Sequence, residues 1–174
     1  MSVVDNFKSD IVNELSRSQG FSFLNLIFID LDAFVYHNDA LGHDVGDKTL
    51  AKISKALQEL SNIYNADIRR VGGDEFLGYS LSKNQYEHIE LAEKTQNSIH
   101  DLKVPYVSDG YTDGDFEFSE FVSCSVVAIS IALQNEELNF GKKVDLIENL
   151  MGEIETIMHY EKMKGKGKIT TQQF

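Results

Sequence analysis

Apolar residues follow two different spacings along the chain, and each spacing predicts a different kind of element. Amphipathic helices place apolar side chains every three or four positions. Helices are predicted for residues 3–17, 33–41, 47–60, 83–102 and 144–158. Continuous apolar runs and short alternating segments instead predict β-strands. Strands are predicted for residues 21–31, 66–71, 76–81, 122–133 and 169–174.

The order of these elements favours a mixed β-sheet. Helices and strands alternate, but 66–71 and 76–81 read as a hairpin, so the sheet is not wholly parallel. We therefore expect an α+β fold in which helices wrap a mixed central sheet, with residues 1–174 forming one domain. Connecting segments are expected as a turn at 42–47, a loop or hairpin at 106–120 and a loop at 134–141.

Charge and composition narrow the range of partners. The chain has 174 residues, of which 28 are acidic and 16 basic, for a formal net charge of −12. This excess of negative charge argues against nucleic acid or an anionic membrane as a partner. No apolar run approaches a membrane span, no signal peptide is visible, and the single cysteine, Cys124, cannot form an intrachain disulfide. We expect a soluble, cytoplasmic protein.

Two acidic stretches mark a candidate site. Gly72 and Gly73 reach positive φ freely and so suit a tight hairpin turn, which Asp74 and Glu75 follow at once. Asp30 lies at the C-terminal end of a predicted buried strand, where ligands bind in many α/β sheets. Carboxylates at a rigid hairpin tip beside a strand end suit a Mg²⁺-dependent phosphate site.

Simpler explanations exist for both stretches. A type I′ hairpin turn accounts for the glycines but leaves the adjacent acids unexplained. The alternative for Asp30 is a helix cap or an ion pair with Arg69 or Arg70.

Three motifs together resemble the GGDEF domain of diguanylate cyclases. They are FIDLD at residues 28–32, NDALGHDVGD at 38–47 and GGDEF at 72–76. Their order and spacing agree with the family from about residue 21 to residue 168. The resemblance implies a sheet related to the palm of nucleotide cyclases and polymerases. It also implies condensation of two GTP to cyclic di-GMP and pyrophosphate, between the two domains of a homodimer that exists at least transiently.

The resemblance also assigns roles to the acidic residues. Asp30, Asp74 and Glu75, with the backbone carbonyl of Leu31, would hold Mg²⁺, with Mn²⁺ as the alternative ion. Asp74 would in addition act as the base for the 3′-hydroxyl, and Glu75 would support proton or metal handling.

A second group of residues would bind the substrate. Asn38 and Asp47 match the family's guanine readers, although Asp47 alone is also explained as a helix N-cap. The remaining groups would hold phosphates: the backbone of Ala33, Phe34 and Val35, the glycines Gly72 and Gly73, and the side chains of Lys162 and Lys166. A solvated, lysine-rich helix end is the ordinary explanation for such lysines.

The chain departs from the family pattern at several places, two of which concern the phosphate contacts. Val35 stands where the family usually has a lysine, and Lys166 stands where it has an arginine, whose planar fork grips phosphate differently. Two other functions therefore remain open: a divergent cyclase with another nucleotide product, and a GGDEF-like module that binds GTP or a protein without turnover.

Overall fold

The computed structural model of the chain describes residues 2–17, 20–105, 121–133 and 139–174. Within these residues the chain forms five helices and five strands. The helices are α1 (Val3–Arg17), α2 (Phe34–Leu41), α3 (His43–Tyr64), α4 (Glu87–Asp101) and α5 (Phe140–Met163). The strands are β1 (Phe23–Leu31), β2 (Asp67–Arg70), β3 (Glu75–Ser82), β4 (Cys124–Ala132) and β5 (Ile169–Gln173).

The strands form one mixed sheet in the order β2-β3-β1-β4-β5. β1 pairs antiparallel with both β3 and β4, β2 pairs antiparallel with β3, and β5 runs parallel to β4 at one edge. The predicted α+β class with a mixed central sheet is confirmed. Since β1 is the central strand, its C-terminal end lies between the hairpin of β2 and β3 on one side and β4 on the other.

Both faces of the sheet are covered, which explains the nearly continuous apolar sequence of β1. Ile27, Ile29 and Leu31 of β1 face one core, which α3 and α4 complete. Leu24 and Leu26 face the other core, which α1 and α5 complete. The alternation of side chains along a strand therefore divides β1 between the two layers of helices.

Several predicted element boundaries are wrong. The turn expected at 42–47 is instead the first turn of α3, which begins at His43 directly after Gly42. Gly42 has a φ of 87°, a left-handed value that glycine adopts without strain, so the break between α2 and α3 is confined to this residue. α4 begins at Glu87 and α5 at Phe140, whereas 106–120 and 134–138 lie outside the described residues.

Each helix in the described part of the chain is too short or too polar to cross a lipid bilayer.

Candidate functional site

The C-terminal end of β1 contacts the hairpin between β2 and β3. Asp30 is paired with Glu75 on β3 and with Ser125 on β4. The Leu31 N–H donates to the Asp74 carbonyl oxygen at 3.1 Å. In an extended strand the carbonyl of a residue faces the same edge as its N–H, so the Leu31 carbonyl also faces the hairpin. The structure thus brings the two acidic stretches together.

The hairpin turn is built differently from the expectation. The Val71 N–H donates to the Glu75 carbonyl at 2.9 Å, which leaves Gly72, Gly73 and Asp74 to form the turn. Neither glycine has a φ in the left-handed region, so the type I′ turn, and the positive φ expected of the glycines, are wrong. A Cβ at Gly72 would lie 2.7 Å from Glu75 Oε2, so a side chain there would require the Glu75 carboxylate to shift.

Two adjacent arginines at the end of β2 form contacts that stabilise the hairpin turn and link β2 to α1. Arg70 donates from Nε and Nη2 to the Gly73 carbonyl, at 3.0 and 2.7 Å, and also from Nε to the Gly72 carbonyl at 3.0 Å. Arg69 forms ion pairs with Asp67 and with Asp10 of α1. Both arginines are therefore engaged elsewhere, and the alternative of an ion pair between them and Asp30 is wrong.

Asp30 is paired with Lys162 near the end of α5. The Lys162 ammonium donates to Asp30 Oδ2, and the Asp30 side chain is only 3% exposed. Burial raises the pKa of Asp30 to about 6. Lys162 opposes this shift, and the negative charges of Asp74 and Glu75 add to it. One ammonium thus compensates the ionised Asp30 only in part.

The donor set suits a magnesium ion chemically. Within the described residues, no group of three or more His, Cys, Asp or Glu side chains is arranged to hold a metal. Mg²⁺ needs no such group, because it usually takes one or two protein carboxylates and fills its coordination with water and phosphate oxygens. Asp30 and Asp74, with the Leu31 carbonyl, offer hard oxygen ligands at a corner where negative charge is incompletely compensated.

The expected guanine readers lie at the junction of α2 and α3. Asn38 packs against the α3 backbone, where a Cβ on Gly46 would fall 1.7 Å from Asn38 Oδ1. That oxygen is buried and has no hydrogen-bond partner among the residues that the structure describes. Asp47 is exposed within α3, so its interpretation as a helix N-cap is wrong. The exposed carboxylate of Asp47 can accept from the N–H donors of a base, whereas the buried Asn38 oxygen would have to turn outwards to do so.

The start of α2 faces the same end of the sheet. Its N-cap is Ala33, with φ 54° and ψ 29°, a residue whose methyl side chain cannot accept a capping hydrogen bond. Phe34 is buried, whereas Val35 is 58% exposed and carries no charge. The first N–H groups of a helix lack intrahelical partners, so they are suited to an anion.

The lysines near the end of α5 fall into two groups. Lys162 contacts Asp30, and Lys166 Nζ lies 5.9 Å from the ring centroid of Tyr36 on α2. Lys164 instead pairs with Glu161 at 2.9 Å, and Lys168 donates to the Lys164 carbonyl at 2.6 Å. The two lysines assigned to phosphate therefore lie at the β1 end, while the other two stabilise the end of the helix.

Sequence reasoning missed two residues that shape this site. Asp32 is buried and accepts hydrogen bonds from the hydroxyls of Ser123 and Ser125, at 2.8 and 2.7 Å, and from the Gly167 N–H at 2.9 Å. Gln96 of α4 donates to the Gly167 carbonyl at 3.1 Å. The acidic run at 30–32 pointed to Asp32 without giving its partners, and no sequence pattern singles out Gln96.

Comparison with known proteins agrees with this geometry. Residues 5–124 match the family described as "Diguanylate cyclase, GGDEF domain". Diguanylate cyclase DgcP of Escherichia coli K12 is 35% identical over 121 residues, which are 64% of this chain and 35% of that protein. Diguanylate cyclase DosC of Shigella sonnei is 33% identical over 82 residues, which are 47% and 17% of the two chains. The chain thus spans about a third or less of the length of these curated relatives.

Solved structures share the fold. The GGDEF domain of DgcB from Caulobacter crescentus, in complex with c-di-GMP, matches with a TM-score of 0.66 and 15% identity. The match covers 96% of this chain and 88% of that one. At this identity the likeness establishes the fold alone.

Proposed function

The chain belongs to the diguanylate cyclase GGDEF domain family, and from this we propose that it condenses two GTP to cyclic di-GMP and pyrophosphate. Membership supports a diguanylate cyclase or GGDEF-like role. The observation that carries the finer proposal is the meeting of Asp30 with the hairpin acids and Lys162 at one strand end. Such a corner combines cation-binding oxygens with a phosphate-binding ammonium.

The proposed reaction joins two GTP across a pair of chains. In each half, a 3′-hydroxyl oxygen forms a bond to the α-phosphorus of the other GTP, and the bond from that phosphorus to the β-phosphate bridging oxygen breaks. Pyrophosphate leaves, and the hydroxyl proton passes to the carboxylate of Asp74, with Glu75 beside it. Mg²⁺, or Mn²⁺ in its place, would be held by the Leu31 carbonyl and by one or two of the carboxylates of Asp30, Asp74 and Glu75, and it would stabilise the charge that develops on the phosphates.

The other residues of the site would orient the nucleotide. Asn38 and Asp47 would bind the guanine edge, where a carboxylate accepts from N1–H and the exocyclic amine together. The phosphates would lie between Lys162, Lys166, the backbone at Gly72 and Gly73, and the backbone at the start of α2, formed by Ala33, Phe34 and Val35. This division of labour leaves the acids to bind metal and move the proton.

We also propose the cellular setting. All described helices and strands pack on one sheet, which supports treating 1–174 as one cyclase domain. A homodimer, at least transient, is required because each half of the reaction uses a GTP from the other chain. The cytoplasm supplies GTP and a reducing environment for the buried thiol of Cys124.

Product analysis tests the cyclase proposal. The purified protein, at high concentration, is incubated with GTP and Mg²⁺, and the products are resolved by mass spectrometry. We expect cyclic di-GMP and pyrophosphate from the natural chain and neither from Asp74→Asn. Absence of both products from the natural chain would overturn the proposal. Equal use of ATP in competition would instead favour a divergent cyclase and count against Asp47 as a guanine reader.

One observation favours a non-catalytic alternative. Val35 places an exposed, uncharged side chain at the helix start, where phosphate binding would benefit from a cation. A domain with this weakness could hold GTP without turning it over. Tight binding of GTP in calorimetry, together with no product in the assay above, would support this second function.

A further inference from the structure

The segment 165–168 is fastened to the sheet by side chains from two distant elements. Both backbone polar groups of Gly167 are engaged: its N–H donates to Asp32 Oδ2 at 2.9 Å, and its carbonyl accepts from Gln96 Nε2 at 3.1 Å. The same Gln96 amide donates to the Cys124 carbonyl at 3.2 Å. A single side chain of α4 therefore ties this segment to the first residue of β4.

The backbone of the segment supports a fixed conformation. Gly165 and Gly167 have φ values of 128° and 67°, which disfavour other residues. The Lys168 carbonyl accepts from the Val126 N–H at 2.7 Å, and β5 begins directly afterwards. The segment is thus held at Gly167 and Lys168, and Lys166 is adjacent to these fastened residues.

The side chain that holds the Gly167 N–H is the buried carboxyl group of Asp32. Burying a carboxylate costs free energy unless hydrogen bonds satisfy it. Here the hydroxyls of Ser123 and Ser125 and the Gly167 N–H provide those bonds. The two serine hydroxyls fix the orientation of the Asp32 carboxyl group, which in turn fixes the position of the Gly167 N–H.

We propose that Gln96 and Asp32 are positioning residues that set where Lys166 meets the triphosphate. The proposal rests on the phosphate-binding role of Lys166 in the proposed function. Both residues act through Gly167, and neither contacts the substrate. Their effect is to hold Lys166 over Tyr36, beside the start of α2. Two sources of positive potential, a helix N-terminus and an ammonium, thereby face the same point.

The test uses Gln96→Met, which keeps the volume of the side chain and removes its donor. Asn97→Met is the matched control, since Asn97 is an exposed neighbour on the same helix. Binding of inorganic triphosphate in the presence of Mg²⁺ is measured by calorimetry. We expect the dissociation constant to rise about fivefold in Gln96→Met, equivalent to roughly 1 kcal/mol, and to stay unchanged in Asn97→Met. The KM for GTP should rise similarly, with kcat within about twofold of the natural chain.

A second variant tests whether a loss of binding comes from displacement of the segment 165–168 or from a failure to fold. Gly167→Ala places a methyl group where φ is 67° and should displace the segment without removing any side chain of the sheet. We expect weaker triphosphate binding here too, with the far-ultraviolet circular dichroism spectrum preserved. Gln96→Lys, which restores a donor, should recover part of the affinity lost in Gln96→Met.

The outcomes separate this inference from the proposed function. If the natural chain binds triphosphate and both Gln96→Met and Gly167→Ala bind it equally well, the positioning role is refuted while the cyclase proposal stands. If the variants bind more weakly but the natural chain makes no cyclic dinucleotide, the cyclase proposal fails and the positioning role stands. If the natural chain binds no triphosphate, the positioning role is overturned.

Discussion

Replacing Asp30 with asparagine should make the metal-free protein more stable. The substitution keeps the size of the side chain and removes a charge that the fold accommodates at a cost. Burial, with the nearby negative charges of Asp74 and Glu75, raises the pKa of Asp30 from 3.8 to about 6 despite its pairing with Lys162. At 1.36 kcal/mol per pKa unit, this shift corresponds to roughly 3 kcal/mol of unfavourable free energy for the ionised form.

The sign of the pH dependence follows from the direction of the shift. An acid whose pKa is raised in the folded state binds more protons there than in the unfolded state. Its favourable contribution is therefore complete below about pH 4 and is lost as the pH rises through about 6. At pH 8 the natural chain carries the whole cost and Asp30→Asn carries none. Asp30→Asn also removes the ion pair with Lys162, which lowers stability. This loss should be small, because the Lys162 side chain is 43% exposed and its ammonium can be hydrated instead.

Urea denaturation in the presence of EDTA measures the effect. We expect Asp30→Asn to exceed the natural chain in the free energy of unfolding by about 1–3 kcal/mol at pH 8, with the difference shrinking towards pH 4. The matched control is Asp32→Asn, because Asp32 is equally buried but accepts three hydrogen bonds. Asp32→Asn should lower the free energy of unfolding by about 1–3 kcal/mol, because an amide has only one acceptor oxygen for the three donors around it. An Asp30→Asn variant that is less stable than the natural chain at pH 8 would refute the reasoning.

Three further substitutions test other parts of the site. Lys162→Met removes the ammonium that competes with a metal ion for Asp30. Calorimetry without nucleotide should therefore show severalfold tighter binding of Mn²⁺, whereas the binding of triphosphate should weaken. An unchanged affinity for Mn²⁺ would contradict this competition. Gly46→Ala forces the Asn38 amide to move and should lower the free energy of unfolding, measured with urea, by about 1–3 kcal/mol. The preference for GTP over ATP should also become smaller, and an unaltered preference would count against Asn38 as a base reader. Asp74→Asn should abolish product in the mass-spectrometric assay while calorimetry still detects GTP, and residual turnover at the natural rate would exclude Asp74 as the base.

The main elements could be predicted because their apolar spacing reflects the layer that each one faces. The long runs of β1 and β4 are buried on both sides, so their sequences are nearly continuously apolar, which is the pattern expected of such strands. The junction at 42–47 was misjudged because its two glycines look like a turn. Gly42 does break the chain there, but Gly46 is inside α3, where its missing side chain makes room for Asn38.

The acidic part of the site was visible in the sequence, whereas its supports were not. Asp30 and the hairpin acids are each contiguous with a strand end, so a correct strand assignment brings them together. Gln96 contacts Gly167 across 71 positions of sequence, and the contact depends on how α4 and the end of α5 pack on the sheet. Local patterns carry no information on such a contact. For the same reason, the pairing of Lys162 with Asp30 required the folded chain.

The two aspartates at the end of β1 have different surroundings, which assign a structural role to one and a chemical role to the other. Asp30 and Asp32 are both buried, and one residue separates them. Asp32 is surrounded by donors that satisfy its charge, so replacing it should cost stability. Asp30 has one ammonium and two nearby acids, so its charge remains expensive in the isolated protein. A fold selected for stability alone would not keep such a residue, because a neutral side chain would serve better. A bound cation would compensate the negative charge of Asp30. Replacing Asp30 should therefore raise the stability of the metal-free protein and lower its activity.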